Sequence, residues 1–265
     1  MALSKGKSKQ LKIDCTSMTY EEFIGYYNNC LCMGLLERNG TVNINGLLYI
    51  VKDEEIHLHY CDVNTSKHHY EILLPSFVTH IDDNAFSYCN YLVEITGEGV
   101  KNIGHNCFTT CNNLKRANFP NVEYIGREAF YNCRLLEEID LASCKSINNL
   151  AFSNCISLKE VNAPKLIQCG TSAFADCHSL VSCSLDSISF IRDYTFKHCY
   201  HLKKFYAPKI SFGVRDKKRI KVTKYNAFNG SNSINDFQVD TFIGSFVYFH
   251  LYFDNCDLKY NKHIE

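Results

Sequence analysis

Residues 125–136 read Ile125-Gly126-Arg127-Glu128-Ala129-Phe130-Tyr131-Asn132-Cys133-Arg134-Leu135-Leu136, and the same skeleton returns every 22 residues. Phe86, Phe108, Phe130, Phe152, Phe174 and Phe196 form one column at this step, and Cys89, Cys111, Cys133, Cys155, Cys177 and Cys199 form a second. Leu92, Leu114, Leu136, Leu158, Leu180 and Leu202 form a third, and Ile81, Ile103, Ile125, Ile147, Cys169 and Ile191 a fourth. Small residues precede each Phe: Ala85, Cys107, Ala129, Ala151, Ala173 and Thr195. Five columns kept in phase over six copies define a structural repeat.

A unit this short cannot bury its apolar face alone, so each must lean on its neighbours and like residues pile into ladders. Each large apolar side chain buried in such a ladder contributes about 1.5–3 kcal/mol, which offsets backbone entropy only when several rungs stack. After the Leu column the chain alternates as a strand does. In Leu158-Lys159-Glu160-Val161-Asn162-Ala163, Val161 faces inward while Glu160 and Asn162 face outward. The matching inward residues are Ile95, Ala117, Ile139, Cys183 and Phe205, and stacking them predicts a parallel sheet. The Ala-Phe-x-x-Cys-x-x-Leu stretch has spacings of three, which predict a short helical or 3₁₀ turn on the opposite side. Gly104, Gly126, Asn148 and Gly170 follow the Ile column, where a tight corner favours such residues; Asp82 and Arg192 depart from this at the two ends.

The pattern I-G-x-x-A-F-x-x-C-x-x-L-x-x-V, as carried by Ile125 to Cys133, resembles the BspA-like (Treponema-type) leucine-rich repeat over roughly residues 72–210. The resemblance implies a curved solenoid and a family dominated by adhesion and protein binding, with several members on bacterial and protozoan cell surfaces. The expected fold class is therefore an α/β repeat solenoid, a leucine-rich-repeat superhelix with a parallel sheet on one side, capped at both ends.

The expected organisation is an N-terminal cap over 1–71, six repeats over 72–210, and a basic insertion, degenerate last repeat and cap strand over 211–265. Caps are needed because a terminal rung is apolar and presents an open sheet edge. Thr19-Tyr20-Glu21-Glu22 reads as a capping box, with Phe23, Tyr26, Tyr27, Cys30, Leu31 and Leu35 following at helical spacing and Asn39-Gly40 closing the helix. Leu47 to Val51 and Ile56 to Tyr60 read as two strands joined by a polar turn, docking on the Ile81 rung. Ala227-Phe228 repeats the Ala-Phe pair late, after a segment bearing Arg215, Lys217, Lys218, Arg219, Lys221 and Lys224. Phe246 to Phe253 alternates as a strand; it caps the last rung or offers a route to self-association.

Lys+Arg and Asp+Glu stand at 28 each, so no global field draws the chain to nucleic acid or acidic membrane. The basic segment is a solvated loop, or else a local patch for nucleic acid or anionic lipid; nucleic acid is not the expected partner. The lysine-rich N-terminus has no secretory h-region, and the apolar run Phe242 to Phe253 is too short to span a bilayer as a helix. The expected location is cytoplasmic, with surface exposure by an unconventional route as the alternative.

Fifteen cysteines invite a disulfide or metal reading. A one-per-rung column gives poor disulfide geometry and no tetrahedral zinc site, so core packing is expected instead. The Cys30-Leu31-Cys32 pair diverges on a helix. His57 and His59 share a strand face and would bind a metal only with a third ligand; outward polar positions on a cap strand is the simpler account, and no metal or cofactor is expected. His198 and His201 flank Cys199, as in a nucleophile pair, but Cys199 belongs to the core column. With no phosphate loop or nucleophile elbow, the chain is not read as an enzyme.

What remains is the outward face of the sheet. One column runs Glu94, Arg116, Glu138, Glu160, Ser182, Lys204, and its neighbour Thr96, Asn118, Asp140, Asn162, Ser184, Tyr206. An acid-rich first half and a basic end suit docking of a polypeptide, and equally describe an idle solvated sheet. The leading expectation is a protein-binding scaffold with a partner of unknown identity. The alternatives are a surface adhesin and a structural subunit held by Phe246–Phe253. The rung reading itself makes a stability prediction: Phe130→Ala or Phe152→Ala costs about 3–5 kcal/mol by denaturant unfolding, and a neutral result would contradict the stacked core.

Overall fold

The computed structural model describes residues 11–14, 16–34, 36, 40–61, 69–210, 226–231, 233–234 and 236–238. The chain winds through about 7 turns of a parallel solenoid. Leu11–Asp14, Tyr70–Leu73, Leu92–Thr96, Arg116–Asn118 and Glu138–Ile139 pair in that order as one parallel sheet. Glu160–Asn162, Ser182–Ser184, Lys204–Tyr206 and Asp236–Gln238 form the next. The alternation holds: Ile95, Ala117, Val161, Cys183 and Phe205 are buried between outward polar neighbours. The break between the two stacks falls at Asp140, whose carboxylate accepts from its own Ala142 N–H at 2.9 Å. That local turn ends the Glu138–Ile139 strand after two residues and leaves Ile139 only partly buried.

A second sheet lies where the sequence reading placed only a corner. Val78–Ile81, Asn102–Ile103, Tyr124–Ile125, Ser146–Ile147 and Gln168–Cys169 stack in parallel, so the Ile column is itself a strand column. The glycines that follow it answer a different need from the one expected. A Cβ on Gly126 would stand 2.6 Å from the carbonyl carbon of Gly104, and one on Gly170 2.3 Å from the amide nitrogen of Asn149. Rung-to-rung contact, rather than a special backbone dihedral, excludes the side chain at these two positions.

The Ala-Phe side is neither α-helical nor 3₁₀ among the described residues. Each turn carries two residues in the left-handed region four apart, such as Glu128 (φ 55) and Asn132 (φ 60), or Leu150 (φ 58) and Asn154 (φ 63). They interrupt any helix and aim alternate N–H groups along the solenoid axis. Glu128, Phe130 and Asn132 donate to the carbonyls of Asn149, Ala151 and Ser153 at 3.0, 2.7 and 2.9 Å. A left-handed L-residue costs about 1–2 kcal/mol; the inter-rung bonds, at about 0.5–1.5 kcal/mol each, offset much of this. Asn at 84, 106, 132 and 154 lowers the cost, because its short side chain tolerates this region.

Inside, the phenylalanines form a continuous stack. Successive ring centroids from Phe86 to Phe196 lie 5.0, 4.9, 5.1, 5.2 and 5.5 Å apart and nearly parallel, and Phe228 adds a further ring at 5.4 Å from Phe196. The late Ala227-Phe228 pair is thus a true rung. The cysteine column both packs and donates: Sγ of Cys111, Cys133, Cys155, Cys177 and Cys199 lies 3.0–3.2 Å from the carbonyl of Phe86, Phe108, Phe130, Phe152 and Phe174. Ser231 takes this place in the last rung and donates to Phe196 at 2.5 Å. All 13 cysteines among the described residues are free.

At the N-terminal end, helix Tyr20–Met33 opens on the Thr19–Glu22 capping box. It closes at Gly34, a left-handed C-cap, five residues earlier than the expected Asn39-Gly40. Its Phe23 is buried against Phe77 and Tyr49. Val42–Ile44, Leu47–Lys52 and Glu55–Cys61 form an antiparallel meander, and Glu55–Cys61 pairs with Val78–Ile81, seating Leu58 beside Ile81. The C-terminal strand expected over Phe246–Phe253 and the basic segment lie outside the described residues.

Burial pushes the thiols of Cys107, Cys111, Cys133, Cys155, Cys183 and Cys199 up, and that of Cys144 to about 12. The unfolded chain therefore loses these protons first. The associated stability is full below the ordinary thiol pKa and is lost as pH rises past it. The urea midpoint is expected to hold to about pH 8 and fall steadily by about pH 10; a midpoint flat over that range would contradict the burial of these thiols.

Candidate functional site

The outward face of the two parallel sheets places the expected residues in file. Glu94, Arg116 and Glu138 are direct cross-strand partners, as are Glu160, Ser182 and Lys204. The pleat aims them outward because Ile95, Ala117 and Cys183 between them are taken by the core. Arg116 donates through Nε to Glu94 at 3.0 Å, and this carboxylate pushes the guanidinium pKa up. Glu71 stands in register beside Glu94 on the neighbouring strand, extending the acidic file. One row over, Lys159 pairs with Glu137 at 2.5 Å and holds that carboxyl below its ordinary range.

The second column is less uniform. Thr96 faces Asn118, and Asn162, Ser184 and Tyr206 are consecutive partners, but Asp140 is turned onto its own backbone. Glu160, Ser182, Ser184, Lys204 and Tyr206 line a shallow groove of about 220 Å³. Both charge signs and an exposed aromatic ring meet there, the combination that suits an extended polypeptide. Arg215, Lys217, Lys218, Arg219, Lys221 and Lys224 fall outside the described residues.

A second polar cluster sits at the junction of cap and first repeat, and sequence spacing gave only part of it. His57 and His59 do share a strand face, and both meet Asp82, with Nδ1 to carboxylate distances of 2.7 and 2.9 Å. Lys52 Nζ adds a contact to Asp82 at 2.5 Å. The ring beside His57 is not His59 but His80 on the adjacent strand, stacked at 4.3 Å with 6° between planes. Glu55 lies 2.7 Å from His80 Nδ1. Burial alone would raise the Asp82 carboxyl, but hydrogen bonds from His57, Lys52 and His59 outweigh it and hold the group well below the carboxylate range. Burial, then the neighbouring His57, push His80 down against the pull of Glu55 and Asp82. A cavity of about 580 Å³ opens beside the cluster, lined by Lys52, His59, His80, Asp82, Asn102 and Tyr124 among others. The sequence signal was Asp82 itself, an acid in a column occupied by Gly or Asn in the four central repeats.

Cys199 is fully buried, its thiol donates to Phe174, and burial pushes its pKa well up, so it is no nucleophile. His198 is instead 2.8 Å from Asp176. No helix among the described residues is long and apolar enough to cross a membrane.

Comparison with known proteins matches the BspA type leucine rich repeat region, in 6 copies, over residues 63–149 and 123–259. Among solved structures, a leucine-rich repeat protein of T. pallidum is similar, with 24% identity and a TM-score of 0.58, over 65% of this chain and 84% of that one. A leucine-rich repeat protein from Eubacterium ventriosum is similar at 25% identity and a TM-score of 0.52, over 74% of this chain and 51% of that one. No curated protein matches.

Because the Arg116–Glu94 pair is largely exposed on the sheet, it adds little to stability. Arg116→Ala is expected to cost at most about 1 kcal/mol in urea unfolding, less still in high salt; a loss several times larger would make the pair structural.

Proposed function

Because this chain belongs to the BspA-type leucine-rich repeat family, we propose that it is a non-catalytic protein-binding scaffold whose working surface is the outward face of the solenoid sheets. The observation that carries this reading is the file of cross-strand partners Glu94, Arg116 and Glu138, continued by Glu160, Ser182 and Lys204. Side chains held about 4.8 Å apart by strand pairing form a rigid array, so a partner meets them with little ordering cost. Asn118, Asn162 and Tyr206 flank the file with hydrogen-bonding and aromatic groups. The partner of best fit is a polypeptide presenting basic groups to the acid-rich half and an acidic group to Lys204. Its association is fast at low salt and weakens as salt rises.

The test is an affinity pull-down from the native cell extract with wild type and a Glu138→Lys/Glu160→Lys variant, both checked for unchanged unfolding midpoints. One partner captured by wild type and lost by the folded variant is the expected result. Equal capture by both, or none by either, overturns the sheet face as the working surface.

A further inference from the structure

We propose that Cys61 and Cys89 are a redox-active thiol pair, which hydrogen peroxide closes to a disulfide that staples the N-terminal cap to the first repeat. Cys89 heads the cysteine column but is placed unlike the rest of it. Cys111, Cys133, Cys155, Cys177 and Cys199 are fully buried and give their S–H to the Phe carbonyl of the repeat before them. Cys89 has only the cap before it. Its sulfur lies 2.7 Å from Tyr70 Oη and is hydrogen-bonded to the thiol of Cys61. It is also partly exposed, between the exposed Tyr88 and Asn90, so a small oxidant reaches it.

Backbone pairing holds the three groups together. Cys61 ends the strand Glu55–Cys61, and its N–H donates to the Ala85 carbonyl at 2.9 Å. Tyr70 opens the strand Tyr70–Leu73, and its N–H donates to the Tyr91 carbonyl at 2.9 Å. These two bonds fix the turn of the first repeat on either side of Cys89. The two thiols already point at one another, the arrangement that a disulfide needs. Burial, then Cys61 and Cys89 beside it, push the Tyr70 phenol up, so it keeps its proton and serves as a donor. The hydrogen bond from Cys61, aided by Tyr70 and opposed by burial, holds the Cys89 thiol below its ordinary value. Burial pushes the thiols of Cys111, Cys133, Cys155, Cys177 and Cys199 the other way. Cys89 is therefore the nucleophile of the pair and Cys61 the resolving thiol.

The chemistry takes two steps. The Cys89 thiolate attacks one oxygen of hydrogen peroxide, the O–O bond breaks, and the departing hydroxide takes up the proton that Cys89 had given to solvent. Cys89 is left as a sulfenic acid. The Cys61 sulfur then attacks the Cys89 sulfur; the S–S bond forms, the S–O bond breaks, and hydroxide leaves with the Cys61 proton as a second water. Two thiols have lost two electrons and two protons, and the peroxide has been reduced to two waters. The new bond ties the last strand of the cap meander to the first turn of the repeat stack, and constraining the unfolded chain raises stability.

The experiment uses the full chain, reduced with a phosphine, freed of it and treated with hydrogen peroxide. Remaining thiols are alkylated, and the chain is digested without reductant and mapped by mass. Wild type is expected to yield a peptide pair joined through Cys61 and Cys89 and a raised thermal midpoint, both reversed by the phosphine. Cys61→Ser is expected to stop at the sulfenic acid of Cys89, which dimedone traps. Cys89→Ser is expected to leave Cys61 open to alkylation; serine already fills this column at Ser231, so the fold accepts it. Tyr70→Phe is expected to form the same bond about threefold to tenfold more slowly. Cys32→Ser, at an exposed position on the cap helix, is expected to form it as wild type does. No Cys61–Cys89 peptide from wild type, a bond from Cys89 to Cys111 in its place, or an oxidised chain whose midpoint has not risen each overturns the proposal.

Discussion

Contact between successive rungs is the constraint on which everything else rests. At one side the Phe rings stack 4.9–5.5 Å apart from Phe86 to Phe228. Backbone bonds such as Phe130 N to Ala151 O, at 2.7 Å, run along the same axis. A rung spacing near the strand spacing lets ring stacking and hydrogen bonding be satisfied together. It also explains the buried thiols. From Cys111 to Cys199 the cysteine of each turn is small enough to fit, and its S–H finds the carbonyl of the preceding repeat's Phe, while Cys89 in the first repeat meets Tyr70 Oη instead. Ser231 keeps the same bond in the last rung with oxygen in place of sulfur.

This internal regularity fixes the character of the surface. With every inward position committed, variation is confined to outward columns, where residues in register are neighbours whatever their chemistry. Arg116 beside Glu94, or Lys159 beside Glu137, adds little to stability because both partners remain hydrated. The cap junction is different: Asp82 gathers two histidines and a lysine in a half-buried setting, where an unpaired charge is costly and each group depends on the others.

Much of the fold was legible in the residues. The Phe, Cys, Leu and Ile columns, the alternation about Val161, the Thr19 capping box and the late Ala227-Phe228 rung all stand where spacing put them. The second sheet was missed because strands of two residues, such as Tyr124–Ile125, are too short to carry a period. The left-handed pairs were missed because a spacing of three suits a turn as well as a helix. Residues such as Leu150 and Glu128 also carry no signal for that region. The helix end was misplaced because Gly34 and Gly40 are both left-handed and only one ends the hydrogen-bonded turns.

Sequence by itself determined the solenoid, its 22-residue step and which side chains face inward, because a repeat writes its own nearest-neighbour contacts into one period. Tertiary structure alone decided which groups meet at the junction of the cap and the first repeat. His80 stacks on His57 because the cap strand pairs in parallel with Val78–Ile81, and Asp82 reaches both His57 and His59 for the same reason. Contacts of that kind join residues more than twenty positions apart outside the repeat period, and strand pairing rather than spacing brings them together.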